Sequence, residues 1–267
     1  MLIDILSFSC PLILCSFAAL FSEYAGCLAL FLEGLVSFSA FLNFAFTVAT
    51  GNPVLGFLLT VITSVLLIFT FALFIEKFGA HKFIAGTAIN LLLASLTSCL
   101  AFVFFGSRGV LTSASYHYNV MHTKIFTIIF TLYMVLAAVL FLKKTRWGLY
   151  LRITGSDSDV LIAKGVNPSV SRVLSWTLAG LYSSLAGIML TMRLSSFVPN
   201  ISSGRGWMAL AAIFLGKKKP MRMLAAVLIF CATDYFGIHI QNIFPAIPTS
   251  VLLSLPYTVA LLLTVIR

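Results

Sequence analysis

The chain has 267 residues, of which 61% are hydrophobic and 9% charged, with a formal net charge of +10. That composition excludes an ordinary soluble domain, in which about a quarter of residues are charged. A basic excess suits nucleic acid when it is pooled on one surface. Here all but four of the seventeen Lys and Arg residues fall in four places: Lys77 and Lys82; Lys143 to Arg172; Lys217, Lys218, Lys219 and Arg222; and Arg267. This is the positive-inside asymmetry of a membrane protein, so the clusters mark the cytoplasmic face, and Arg108, Lys124, Arg193 and Arg205 lie elsewhere.

Apolar runs long enough to cross a bilayer as helix, about 20 residues each, recur along the chain. They lack the ten-residue alternation of a barrel strand. The expected fold is therefore all-α: a polytopic helical membrane protein, one transmembrane domain over residues 1–267. About eight spans are expected, at 4–22, 26–48, 53–75, 83–105, 123–142, 170–193, 223–240 and 249–266. The first carries Asp4 and lacks a basic leader, so it reads as a retained helix rather than a signal peptide. Three spans before Lys77 place the N-terminus outside, unless one of them is re-entrant. Cys10, Cys15, Cys27, Cys99 and Cys231 sit in apolar stretches without ligand-like spacing and read as packed thiols.

Between Arg172 and Lys217 only one full span fits, so the apolar piece Met208 to Leu215 must return the chain to the cytoplasm. It is too short to cross alone. It reads either as a half-helix packed inside protein or as a short span with an extended lead-in. Gly204-Arg205-Gly206 precedes it, and the free N–H groups of a half-helix start are suited to a polar ligand or a carboxylate.

Glu23, Glu33 and Asp234 are carboxylates embedded in apolar sequence. A charge at mid-membrane costs about 2.5–3.5 kcal/mol, so such groups face a cavity or a partner. Glu23 and Glu33, ten residues apart across a Gly-containing break, read as a helix junction lining a pathway or as an ion-paired brace. Glu23 alternatively lies at a membrane surface. Asp234, followed by His239, Gln241 and Asn242, either reaches the outer interface or lines a polar vestibule.

The stretch from Lys143 to Arg172 is polar and basic yet reads as folded. Ser156 and Asp159 form an S-x-x-D helix start, the run continues through Val160, Leu161, Ile162 and Ala163, and Gly165 with Asn167-Pro168 ends it. A helix of roughly two turns outside the membrane is expected. His117 and His122 lack carboxylate or Cys partners nearby and do not read as metal ligands. Gly216-Lys217 lacks the first Gly and the final Ser/Thr of a nucleotide-binding loop. With no nucleophile–base pair in view, the chain does not read as an enzyme, and no cofactor or metal is expected in it.

Several motifs, taken together and in order, resemble those of inner-membrane permeases of ABC importers, in the branched-chain amino acid, ribose and nucleoside permease family. They are Phe21-Ser22-Glu23 through Glu33-Gly34, with Ala29 where the family has Asn; Ala85 to Leu91; Thr145 to Leu149 with Arg152, Gly155, Ala163 and Gly165; Gly204 to Ala211; and Leu255-Pro256-Tyr257. The nucleoside-type permeases are the most similar. The resemblance implies a passive helical pathway in a bacterial inner membrane, with ATP used by a separate cytoplasmic ATPase. It also implies a second permease subunit, often a different paralogue, and a substrate-binding lipoprotein or periplasmic protein.

By the same resemblance, Ser156–Gly165 is the cytoplasmic coupling helix, carried by Ser156, Asp157, Asp159, Val160, Leu161, Ala163 and Gly165. The candidate pathway residues are Glu23, Glu33, Asn90, Arg205 and Asp234. A nucleoside or a riboflavin-like compound is the expected solute, a simple sugar less so. The alternative is a self-sufficient secondary carrier with Glu33 or Asp234 as its proton or cation site.

Overall fold

The computed structural model describes residues 2–243 and 249–265. It contains α1 (Leu2–Tyr24), α2 (Leu32–Thr50), α3 (Pro53–Phe78), α4 (Lys82–Phe105), α5 (Val120–Lys144), α6 (Arg146–Ser156), α7 (Asp159–Ala163), α8 (Pro168–Leu194), α9 (Arg205–Leu215), α10 (Pro220–Ile243) and α11 (Thr249–Val265). Among the described residues, seven helices are long and apolar enough to span a membrane, and α11, with 17 residues, occupies the eighth expected position. Arg267 and the side chains of His239, Gln241 and Asn242 lie outside the described residues.

Helix α8 is the centre of the bundle, packed against α1, α2 and α3. Its small residues make this possible: Ala179, Gly180, Ser183, Ser184, Ala186 and Gly187 are all buried. Without a hydrophobic drive between helices in lipid, small residues that let backbones approach are what association requires. Helices α3, α4 and α5 turn long rows of Leu, Ile and Phe outward, as lipid-facing helices do.

The basic clusters converge at one end. Glu76 pairs with Lys82 at 3.2 Å and with Arg172 at 3.6 Å, and Glu23 pairs with Lys218 at 2.7 Å. The Lys124–Asp4 pair, at 2.7 Å, joins the starts of α5 and α1 at the opposite end. Helices α1, α2 and α3 therefore alternate in direction, and the N-terminus lies opposite the basic face.

Two expectations need correction. The second helix begins at Leu32 rather than residue 26, because Gly26 takes a left-handed turn (φ +68°) and residues 27–29 are non-helical. Buried side chains satisfy the backbone there. Ser22 Oγ accepts the Ala29 N–H at 3.1 Å, and Trp176 Nε1 donates to the Cys27 carbonyl at 2.7 Å.

The cytoplasmic stretch holds two helices rather than one, and Ser156 is not the cap of the second. Thr145 Oγ1 accepts the Gly148 N–H at 3.1 Å to start α6, which buries Gly148, Leu151 and Thr154 along one face. That face carries the helix through Ser156, whose hydroxyl donates back to the Arg152 carbonyl at 2.7 Å. Asp157 Oδ1 accepts the Asp159 N–H at 3.0 Å instead. Helix α7 is a single short turn of five residues, closed by Gly165 (φ +73°).

Replacing Trp176 by Phe keeps most of the ring packing and strands the buried Cys27 carbonyl. Thermal unfolding in detergent is expected to report a loss of about 1–3 kcal/mol.

Candidate functional site

Helix α9 starts inside the protein. Its eleven residues rise about 16 Å from the basic turn at Lys217–Lys219, roughly half of the ~30 Å apolar thickness of a bilayer. The first N–H groups of such a helix have no water to bond. The Glu33 carboxylate supplies what they need. Its Oε1 accepts from Ser202 Oγ at 2.5 Å and from the Gly204 N–H at 2.7 Å, and its Oε2 accepts from the Gly206 N–H at 2.7 Å. Gly206 permits the approach, since a Cβ there would lie 2.6 Å from the Glu33 nitrogen and 2.8 Å from its Cα.

Glu33 also sits in the first turn of α2, another helix that begins within the protein. One orphan donor of that turn, the Gly34 N–H, is taken by Asn90 Oδ1 of α4 at 2.6 Å. The carboxylate thus faces the positive ends of two helices. Each such placement is worth up to about 2 kcal/mol in partly buried geometry.

The other end of α9 is held as well. Lys218, just past its C-terminus, pairs with Glu23, and its carbonyl accepts from Tyr24 Oη at 2.6 Å. Glu23 and Glu33 therefore clamp the two ends of the same half-helix. Of the candidate pathway residues, Glu23, Glu33 and Asn90 each hold a neighbouring backbone group or lysine.

Arg205 and Asp234 come together at a cavity of about 460 Å³ lined also by Phe8, Asn200, Ser203, Met208, Pro256 and Tyr257. Asp234 lies about 21 Å along α10 from its basic end at 1.5 Å per residue. Among the described residues no hydrogen bond or ion pair occupies its carboxylate. The Arg205 guanidinium lies 5.4 Å from the Phe8 ring centroid, and Arg193 lies 5.0 Å from the same ring. The lead-in from α8 to α9 is bent through left-handed backbone at Ser195 (φ +50°), Asn200 (φ +55°) and Ser203 (φ +46°). Non-glycine residues held there store strain, of order 1–3 kcal/mol each, and such strain concentrates at functional sites.

On the outer side, the loop after α4 folds inward. Leu111 and Phe197 exchange backbone hydrogen bonds at 2.9 and 3.0 Å, and buried Tyr116 accepts from Asn43 Nδ2 at 2.6 Å. Burial pushes the Tyr116 phenol up, so it stays protonated.

Phe8, Arg193, Asn200, Ser203 and Tyr257 were not legible as site residues. One Phe among 25 carries no mark, and left-handed serines leave no trace in sequence. The basic pair Arg193 and Arg205, outside every cytoplasmic cluster, was the available signal. On the cytoplasmic side, Leu161 of α7 is fully buried, while Val160 and Ile162 are 41% and 60% exposed.

These features define a helical membrane protein with a cavity that Arg205 and Asp234 share and with basic residues gathered at one end. The chain matches, over residues 1–266, the family described as branched-chain amino acid transport system / permease component, and it belongs to that family. It is 28% identical over 251 residues to the putative glucose ABC transporter permease protein TsgC13 of Haloferax volcanii, covering 87% of this chain and 75% of that protein. It is 26% identical to the guanosine ABC transporter permease protein NupQ of Bacillus subtilis, covering 96% of this chain and 88% of that protein. The solved structure of PsaBC from Streptococcus pneumoniae in complex with Fab shares the fold, with a TM-score of 0.60 at 15% identity over 96% of this chain and 89% of that one. The protein is an ABC transporter permease subunit and not itself an enzyme, and its family implies an ATPase and a substrate-binding protein as partners.

Replacing Glu33 by Gln removes the charge and turns a donor toward the Gly206 N–H. A stability loss of about 1.5–3 kcal/mol is expected from thermal unfolding. Asn90→Ala is expected to cost about 1 kcal/mol in the same measurement, because it strands a single N–H.

Proposed function

We propose that the chain is the pathway-forming subunit of an importer in a bacterial inner membrane, and that its solute is a nucleoside or a riboflavin-like compound. The observation that carries this reading is the cavity between Arg205 and Asp234. Both solute classes join an aromatic heterocycle to a polyhydroxylated chain or ring. Phe8 and Tyr257 offer ring surfaces, Arg205 offers donors to ring carbonyls, and the unoccupied Asp234 carboxylate accepts from hydroxyls. The similarity to a guanosine permease supports the nucleoside class. ATP is used by a separate ATPase, a binding lipoprotein or periplasmic protein delivers the solute, and a second, non-identical permease completes the pathway.

In the same reading, Ser156–Gly165 is the coupling element. Buried Leu161 anchors α7, and exposed Val160 and Ile162 present an apolar edge to the ATPase. Asp157 and Asp159 shape the turn that starts it, and Gly165 stops it. Ser156 and Ala163 bound the element without contacts that single them out.

Uptake by the complete transporter tests the substrate class. Nucleosides or riboflavin are expected to compete for uptake, and ribose and glucose are not; the reverse pattern overturns the assignment. Asp234→Asn is expected to raise the uptake KM roughly tenfold, the equivalent of one charge-assisted hydrogen bond. Ile162→Glu places a charge on the exposed edge without touching the core. It is expected to release the ATPase in co-purification while leaving the thermal stability of the permease unchanged.

A further inference from the structure

We infer that α9 is a strut that transmits movement of the cytoplasmic loop to the cavity, and that the Glu23–Lys218 ion pair is its lower joint. Contiguous contacts run the whole way. Gly155, at the end of α6, lies against the backbone of α1's last turn. A Cβ at Gly155 would collide with the Tyr24 carbonyl and lie 2.9 Å from the Gly26 nitrogen. The Arg152 guanidinium, also on α6, sits 5.3 Å from the Tyr24 ring centroid. Glu23 and Tyr24 together then grip Lys218, one by its ammonium and the other by its carbonyl.

From Lys218 the rigid helix runs to Arg205, whose guanidinium faces the cavity, and to the N–H groups held by Glu33. A helix pinned at both ends can shift or tilt as a body but cannot stretch. A displacement of α6 against α1 is therefore delivered at Arg205. Glu23 is a positioning residue in this account: it is remote from the cavity and acts through Lys218.

This rests on the coupling reading only for where the push originates. If Ile162→Glu leaves the ATPase bound, that origin is lost, whereas the ion-pair variants test the strut itself. The complete transporter is reconstituted in proteoliposomes, and solute uptake per ATP hydrolysed is measured for Glu23→Gln, Lys218→Met, the exchange Glu23→Lys with Lys218→Glu, and Lys219→Met as a neighbouring charge control.

Each single variant is expected to assemble with the ATPase and hydrolyse ATP, with uptake per ATP lowered about fivefold or more, the range of a real coupling energy. The exchange is expected to recover most of it, and Lys219→Met to change nothing. The inference is overturned if the single variants keep normal uptake per ATP. It is also overturned if Lys219→Met lowers the ratio as much, or if assembly is lost and the exchange does not restore it, since the pair would then be structural only.

Discussion

A helix that begins inside a bilayer must find partners for its first N–H groups, and the Glu33 carboxylate is where this protein meets that requirement. Two helices start near it, α2 and α9, and their positive ends converge on one negative charge. The arrangement explains why a carboxylate is tolerated at that depth, and why Gly206 must stand beside it. It also explains the break at residues 25–31, which allows the chain to leave the basic face as non-helical backbone and begin α2 within the protein. Removing the carboxyl group altogether would leave the Ser202, Gly204 and Gly206 donors without this acceptor, and each unsatisfied group in that environment costs free energy on its own.

The same constraint separates support from selection. Glu23, Glu33 and Asn90 are spent on holding backbone and a lysine. Asp234 and Arg205 are left facing the cavity, which the Phe8 and Tyr257 rings also line. The Glu33 carboxylate is occupied by three donors, the Ser202 hydroxyl and the Gly204 and Gly206 N–H groups.

Half of the bundle is a packed core and half a lipid-facing shell. Helices α1, α2 and α8 bury most of their surface, whereas α3, α4 and α5 expose most of theirs. Small residues along α8 allow the close approaches at the centre, and the strained lead-in to α9 sits where that core meets the cavity. Rigid packing around a strained segment is what a part needs if it is to move between defined positions rather than deform.

The membrane class, the basic face and the short returning helix were all legible from the residues, and the expected eight spans compare with seven helices long and apolar enough to cross among the described residues. Length, hydropathy and charge act locally and leave their mark in order along the chain. The family was legible from spaced motifs for the same reason. Helix α6 is not marked in the sequence because its buried face, Gly148, Leu151 and Thr154, is sparse and mostly not apolar. Ser156 was misread because a hydroxyl in a last helical turn bonds back to its own helix as readily as it caps the next. What only the tertiary structure decided was which buried charge does what. Glu33 and Asp234 look alike in sequence, each a lone carboxylate in an apolar run. One meets two helix starts and the other a cavity, and that difference arises from neighbours about 170 residues away in the first case and from residues of α1, α9 with its lead-in, and α11 in the second.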